Sequence, residues 1–77
     1  MVAFLITIEH EDLATVTTIM DQAGEHEDIQ IIQNGETVYI RQFNEDEGEY
    51  DLVIMSPTQF TNMFISQDLP EGTYKVQ

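Results

Sequence analysis

The sequence predicts a small α+β domain: a mostly antiparallel sheet of four or five strands, with two helices packed on one face. Three observations predict this fold class. Asn34-Gly35 is a hairpin signal, apolar runs of strand length flank it, and Ser56-Pro57-Thr58-Gln59 has the pattern of a helix start. We expect the order strand, helix, three strands, helix, with room for a short final edge strand at 73–76, in one domain spanning residues 1–77.

The first predicted element is a strand at 2–8. Its alternate positions are mostly apolar on both faces, so we expect it inside the sheet.

The next predicted element is a helix at about 12–23. Gly24 would stop this helix, although the threonines inside it lower its intrinsic propensity. The apolar positions with helical spacing are Leu13, Val16, Ile19, Met20 and Ala23.

Residues 29–33 and 37–43 are predicted to form a hairpin around Asn34-Gly35. A two-residue loop at Asn34-Gly35 would pair Ile31 with Val38. A loop at 44–48 and a strand at 50–55 should follow. The second helix then starts at Ser56, which can cap it in a capping box with Gln59. Phe60, Met63 and Phe64 are its predicted buried stripe.

Charge restricts the function more than any motif does. The 77 residues contain 15 acids and two basic residues, for a formal net charge of −13. Such a surface disfavours direct binding to nucleic acid or to an anionic membrane, because both require cations. It favours a basic protein as partner. The apolar start of the chain lacks a basic leader and a cleavage site, so we expect no signal peptide and a cytoplasmic protein.

We expect no enzymatic activity and no cofactor or metal. The chain has no cysteine, no HExxH, no GxSxG and no glycine-rich phosphate loop. The tetrapeptide Glu-His-Glu-Asp occurs at 9–12 and at 25–28, yet a helix between the copies would hold them apart. The first copy is interpreted as a helix-start feature. The second copy would lie at a helix C-terminus, where acid is unfavourable, and is therefore the better candidate for function.

A third acidic cluster, at 45–51, has an acid at every second position. In an extended segment these alternate side chains would share one face and repeat about every 6.6 Å. Two phosphate steps along a duplex strand span about 6.8 Å, so the row would have a charge density similar to that of DNA. An ordinary solvated loop is the alternative interpretation.

In size, charge and absence of catalytic motifs, the chain is similar to the small acidic DNA-mimic proteins that many bacteriophages encode. The similarity implies a non-enzymatic inhibitor of a basic, nucleic-acid-binding protein, acting in the host cytoplasm. The alternative is a small regulatory subunit or adaptor that is recognised through a sheet edge or a helix face, with acidity serving solubility. Neither hypothesis predicts an oligomeric state. The predicted partner-binding residues are Glu25, Glu27, Asp28, Glu45, Asp46, Glu47, Glu49 and Asp51.

Overall fold

The structure is a computed structural model that describes residues 5–75, and its centre is one antiparallel sheet of five strands. The strands are β1 (Ile6–His10), β2 (Thr15–Ile19), β3 (Ile29–Gln33), β4 (Val38–Asn44) and β5 (Glu49–Met55). Their order in space is their order in sequence. The predicted interior position of the first strand is therefore wrong, because β1 forms an edge. Its predicted residues 2–4 lie outside the described part of the chain.

The predicted first helix is wrong, because its residues form β2 and the connections on either side of it. Thr15 to Ile19 is a run of five β-branched residues, which fits a pleated strand better than a helix. Glu11 and Ala14 exchange backbone hydrogen bonds of 2.8 and 3.4 Å, so the chain reverses at residues 12–13. Neither Glu-His-Glu-Asp copy therefore adjoins a helix terminus, and both helix-based interpretations of them are overturned.

The predicted hairpin between β3 and β4 is confirmed, but its register differs by two residues. Ile31 pairs with Ile40, and Gln33 pairs with Val38. The tip is Gly35-Glu36, because the Asn34 amide donates to the Thr37 carbonyl oxygen at 3.2 Å and Asn34 Oδ1 accepts from the Thr37 amide at 2.9 Å. Gly35 has a φ of 94°, a conformation that glycine adopts without steric cost. A two-residue shift in pairing keeps each side chain on its predicted face.

The predicted strand at 50–55 is confirmed as β5, and α1 (Pro57–Ile65) begins directly after it. The capping box is confirmed: Ser56 Oγ accepts from the Gln59 amide at 3.1 Å, and Gln59 Oε1 accepts from the Ser56 amide at 3.0 Å. A short 3-10 helix (Ser66–Asp68) extends α1. Residues 73–75 form no strand, and position 76 lies outside the described residues.

The predicted packing of two helices on one sheet face is also wrong, since α1 is the single α-helix within residues 5–75. Its predicted buried stripe is largely open, with Phe64 55% exposed. Among the described side chains, Val38 alone is buried, at 2% exposure. The α+β class is retained, but within the described residues the sheet lacks the second layer that normally covers a hydrophobic face.

Strand pairing places alternate residues on two faces with different chemistry. We call one of them the isoleucine face; its apolar residues are Ile6, Ile8, Ile19, Ile29, Ile31, Ile40, Val38, Val53 and Met55. Polar residues lie toward its two ends and in its centre, among them His10, Thr15, Thr17, Gln33, Gln42 and Asp51. The opposite face has polar residues at its centre. There Arg41 Nε donates to Gln30 Oε1 at 2.7 Å, and Gln30 Nε2 donates to Thr18 Oγ1 at 3.5 Å.

Candidate functional site

Two acidic connections meet at one end of the sheet, which we call the acidic end: the β2–β3 loop at 20–28 and the β4–β5 turn at 45–48. In a sheet built from consecutive antiparallel strands, every second connection lies at the same end. The other two connections, at 11–14 and 34–37, form the hairpin end. Two clusters that are well separated in sequence are thereby placed side by side.

Asp21 holds the β2–β3 loop in shape. Its side-chain oxygens accept from the amides of Ala23, Glu25 and His26 at 3.2, 3.0 and 2.9 Å. These bonds favour the charged carboxylate, and the bond from Ala23 contributes most to lowering the pKa of Asp21. Gly24, at φ 69°, donates its amide to the Asp21 carbonyl oxygen at 3.1 Å. The glycine predicted to stop a helix instead completes a tight turn.

Asn44 organises the β4–β5 turn in a similar way. Asn44 Oδ1 accepts from the amides of Asp46 and Glu47 at 3.1 and 3.3 Å, and the Asn44 carbonyl oxygen accepts from Gly48 at 2.8 Å. Residues 45–48 are therefore a turn, and the predicted extended row of acids does not form. Of its alternate positions, Glu49 and Asp51 lie within β5.

The two acidic connections touch through Glu27 and Glu45. A side-chain hydrogen bond with Glu45, together with repulsion from its charge, raises the pKa of Glu27 above its ordinary value of 4.5. Burial and the charge of Asp28 contribute less to this shift. Two carboxyl groups in contact disfavour the doubly charged form. The sequence prediction treated the two clusters as separate, whereas the structure joins them.

Between the two connections lies an open groove of about 620 Å³. Five of the eight predicted partner-binding residues line it: Glu25, Glu27, Glu45, Asp46 and Asp51. Asp28 lines a smaller adjoining depression with Phe43 and Tyr50. Glu47 and Glu49 line neither cavity but belong to the same turn and to the start of β5.

An aromatic pair lies beside the acidic groove, on the sheet face opposite to the isoleucine face. Phe43 and Tyr50 pair across β4 and β5, with ring centroids 5.3 Å apart in an edge-to-face arrangement. They remain 37% and 51% exposed, and Arg41 Cζ lies 4.4 Å from the centre of the Tyr50 ring. Both rings therefore lie at the surface and not in a core.

Sequence reasoning missed Asp21 as the residue that shapes the site. The segment Asp21-Gln22-Ala23-Gly24 is a turn signal, since aspartate often bonds to backbone amides that follow it and glycine tolerates positive φ. The helical spacing of the preceding apolar residues concealed it. If residues 15–19 are assigned to a strand because they are β-branched, residues 21–24 are predicted to be a loop.

The first Glu-His-Glu-Asp copy lies at the hairpin end, on β1 and the connection that follows. There His10 Nδ1 lies 3.2 Å from Thr15 Oγ1, across the β1–β2 pair. Within residues 5–75 no group of three or more histidines and acids is arranged to hold a metal ion.

One family model, described as Domain of unknown function (DUF8831), matches residues 7–66. The chain belongs to this family. The matched span runs from β1 to the end of α1 and includes both acidic connections. No curated protein and no solved structure matches the chain. In the described residues, no helix is both long and apolar enough to cross a membrane.

Proposed function

We propose that this protein is a non-enzymatic inhibitor that binds a basic, nucleic-acid-binding protein through its acidic end. Its carboxylates take the place of nucleic-acid phosphates on that partner. The observation that carries the proposal is the meeting of the 25–28 and 45–51 clusters in one groove, with Glu27 and Glu45 in contact. We further propose a bacteriophage origin and action in the host cytoplasm, by analogy with acidic DNA mimics of similar size and charge.

The unfavourable charge at the acidic end supports this function. The side-chain hydrogen bond with Glu45, and then repulsion from its charge, raise the pKa of Glu27, so ionisation of both carboxyl groups reduces the stability of the free protein at neutral pH. A cationic partner would relieve this repulsion, so part of the binding energy would come from charges that are already in place. The net charge of −13 would also accelerate the encounter with a basic surface.

Phe43 and Tyr50 supply the apolar contact that such an interface needs. Aromatic side chains contribute strongly to protein interfaces, whereas acids at the rim mainly affect association rate and specificity. The depression beside these rings is also lined by Glu27 and Asp28, so one partner surface can contact both charge and ring. We propose that the two rings anchor the partner while the acids orient it.

The test is capture of partners from a bacterial lysate, with elution by a salt gradient and then by duplex DNA. We expect the captured proteins to bind nucleic acid, to elute as salt rises, and to be displaced by DNA that competes for the same surface. Retention that is independent of salt, or captured proteins that DNA does not displace, would contradict DNA mimicry.

A matched pair of variants assigns the binding to one end. Glu27, Asp28, Glu45 and Asp46 are changed to amides in the first variant, and Glu9, Glu11, Asp12 and Glu36 in the second. Both variants lose four negative charges, but only the first alters the acidic end. We expect loss of capture with the first and near-normal capture with the second. Equal losses would show that net charge, not a site, drives binding.

A regulatory or adaptor role is the second candidate, because other surfaces also remain open. β1 and β5 are both sheet edges, and an extended peptide can add a strand to such an edge. On α1, Met63 and Phe64 are 47% and 55% exposed. This role predicts that the variant with a neutralised acidic end still captures its partner, whereas a proline at an outward-facing amide of β1 or β5 prevents capture.

A further inference from the structure

The isoleucine face is an apolar surface that residues 5–75 leave open. Ile6 and Ile8 on β1 are 60% and 58% exposed, and Val53 on β5 is 56% exposed, so both sides of this face are uncovered. The opposite face also exposes apolar side chains, with Leu52 and Ile54 at 53% and 60%, but its central row contains the hydrogen-bonded Thr18, Gln30 and Arg41. A surface of β-branched apolar side chains is suited to packing against another sheet, whereas the polar row is suited to solvent.

The total accessible surface is larger than that of a compact protein of the same mass. The chain exposes 6604 Å² at a mass of 8.9 kDa. A compact protein of this mass exposes about 4,800 Å². The excess of roughly 1,800 Å² falls within the roughly 1,000–2,500 Å² that each chain buries in an obligate homodimer. The radius of gyration, 14.7 Å, also exceeds the roughly 11.5 Å of a compact chain of this length.

We infer that two copies of this chain pack their isoleucine faces together and form a two-layer β-sandwich. The partner sheet supplies the layer that α1 does not provide. The contact would be isologous, with the same residues contributed by both chains about a two-fold axis. Sheets that pack in this way lie about 10 Å apart, with their strands rotated by about 30°.

The charge distribution allows this contact despite the net charge of each chain. The acids on this face, Glu49 and Asp51, lie toward the acidic end of β5, whereas its central row of Ile8, Thr17, Ile31, Ile40 and Val53 is uncharged. Association therefore places no carboxylate against a carboxylate at the centre of the contact. The acidic connections project from the end of the strands and remain accessible to another partner. Because both copies are negative, screening should strengthen self-association as salt rises. Binding of a basic partner should weaken as salt rises, so the two contacts have opposite salt dependence.

Sedimentation equilibrium on the intact chain tests the assembly. We expect a mass twice that of the chain, with a dissociation constant that falls as salt is added. Ile8→Lys should raise this constant roughly tenfold or more, because it places a charge in the contact. Thr7→Lys, on the opposite face of the same strand, adds the same charge and should leave the constant nearly unchanged. A mass of one chain up to millimolar concentration would overturn the inference.

Thiol reactivity of two neighbouring positions tests the same contact without charged substitutions. The chain has no cysteine, and Val53 and Leu52 lie on opposite faces of β5 at 56% and 53% exposure. We expect Val53→Cys to react several-fold more slowly than Leu52→Cys at high protein concentration, and at a similar rate after dilution. Equal rates at every concentration, or slower reaction of Leu52→Cys, would overturn the assignment of the isoleucine face.

Discussion

The hairpin end and the acidic end carry the same tetrapeptide in different surroundings. At the hairpin end, Glu-His-Glu-Asp completes β1 and enters a tight reversal, with His10 beside Thr15. At the acidic end, the second copy lies in a wide loop fixed by Asp21 and faces Glu45 from another connection. The comparison shows that four identical residues acquire different chemistry from the segments that the fold places beside them.

The two ends also differ in what they contribute to stability. The hairpin end contains Val38, the one buried residue among those described, and lies next to the capped start of α1. The acidic end contains the repelling carboxyl pair. We therefore expect substitutions at the hairpin end to weaken the fold, and neutralisation of the carboxyl pair to strengthen it.

The largest effect is expected for Val38→Ala. Loss of two buried methyl groups and the cavity that remains should lower the free energy of unfolding by about 2 kcal/mol. Val16→Ala, at a half-buried position on the opposite face, should cost less than about 1 kcal/mol. Urea denaturation followed by circular dichroism measures both. Equal costs for the two variants would show that Val38 is not the centre of packing.

The next largest effect is expected for Asp21→Asn, because the charged acceptor of three backbone amides is lost. The folded-state pKa of Asp21 lies below its ordinary value of 3.8, so the aspartate stabilises the fold above pH 3.8, and this stabilisation is lost as pH falls through the folded-state pKa. The variant should therefore unfold at lower urea than wild type at neutral pH and converge with it in strong acid. Asp12→Asn, at the reversal of the hairpin end, is the control. A constant difference across the pH range would contradict the assignment.

The smallest effect has the opposite sign. The folded-state pKa of Glu27 is raised, so its contribution to stability is fully present below pH 4.5 and is lost as pH rises through the folded-state pKa. Glu27→Gln should thus raise the urea midpoint at neutral pH and leave it unchanged well below pH 4.5. Glu11→Gln removes the same charge at the hairpin end and serves as the control. A lower midpoint for Glu27→Gln at neutral pH would contradict repulsion at the acidic end.

The sequence predicted those elements whose signals are local. The capping box of Ser56 and Gln59 and the hairpin at Asn34-Gly35 each lie within a few residues, and both are present. Residues 12–23 were predicted incorrectly because a short apolar pattern is compatible with helical and strand periods. The β-branched residues of β2 favoured the strand, and Asp12-Leu13 proved to be the tip of a reversal.

The sequence predicted a set of acidic partner-binding residues, but it did not predict that the two clusters lie side by side. Once residues 12–23 were assigned to a helix, the loop at 20–28 had no defined position relative to the turn at 45–48. With β2 as a strand, the alternation of connections in a meander would have placed both at one end. The exposure of Phe43 and Tyr50 depends on whether a layer covers the sheet, which no local pattern in this chain specifies.

The two acidic clusters form one surface only if Glu27 and Glu45 are in contact, and the pKa of Glu27 reports on that contact. Side-chain carboxyl chemical shifts, followed by NMR during a pH titration, give this pKa in wild type and in Glu45→Gln. We predict a pKa above 4.5 for Glu27 in wild type, and a fall toward 4.5 when Glu45 is replaced. A Glu27 pKa that is the same in both proteins would contradict contact between the clusters.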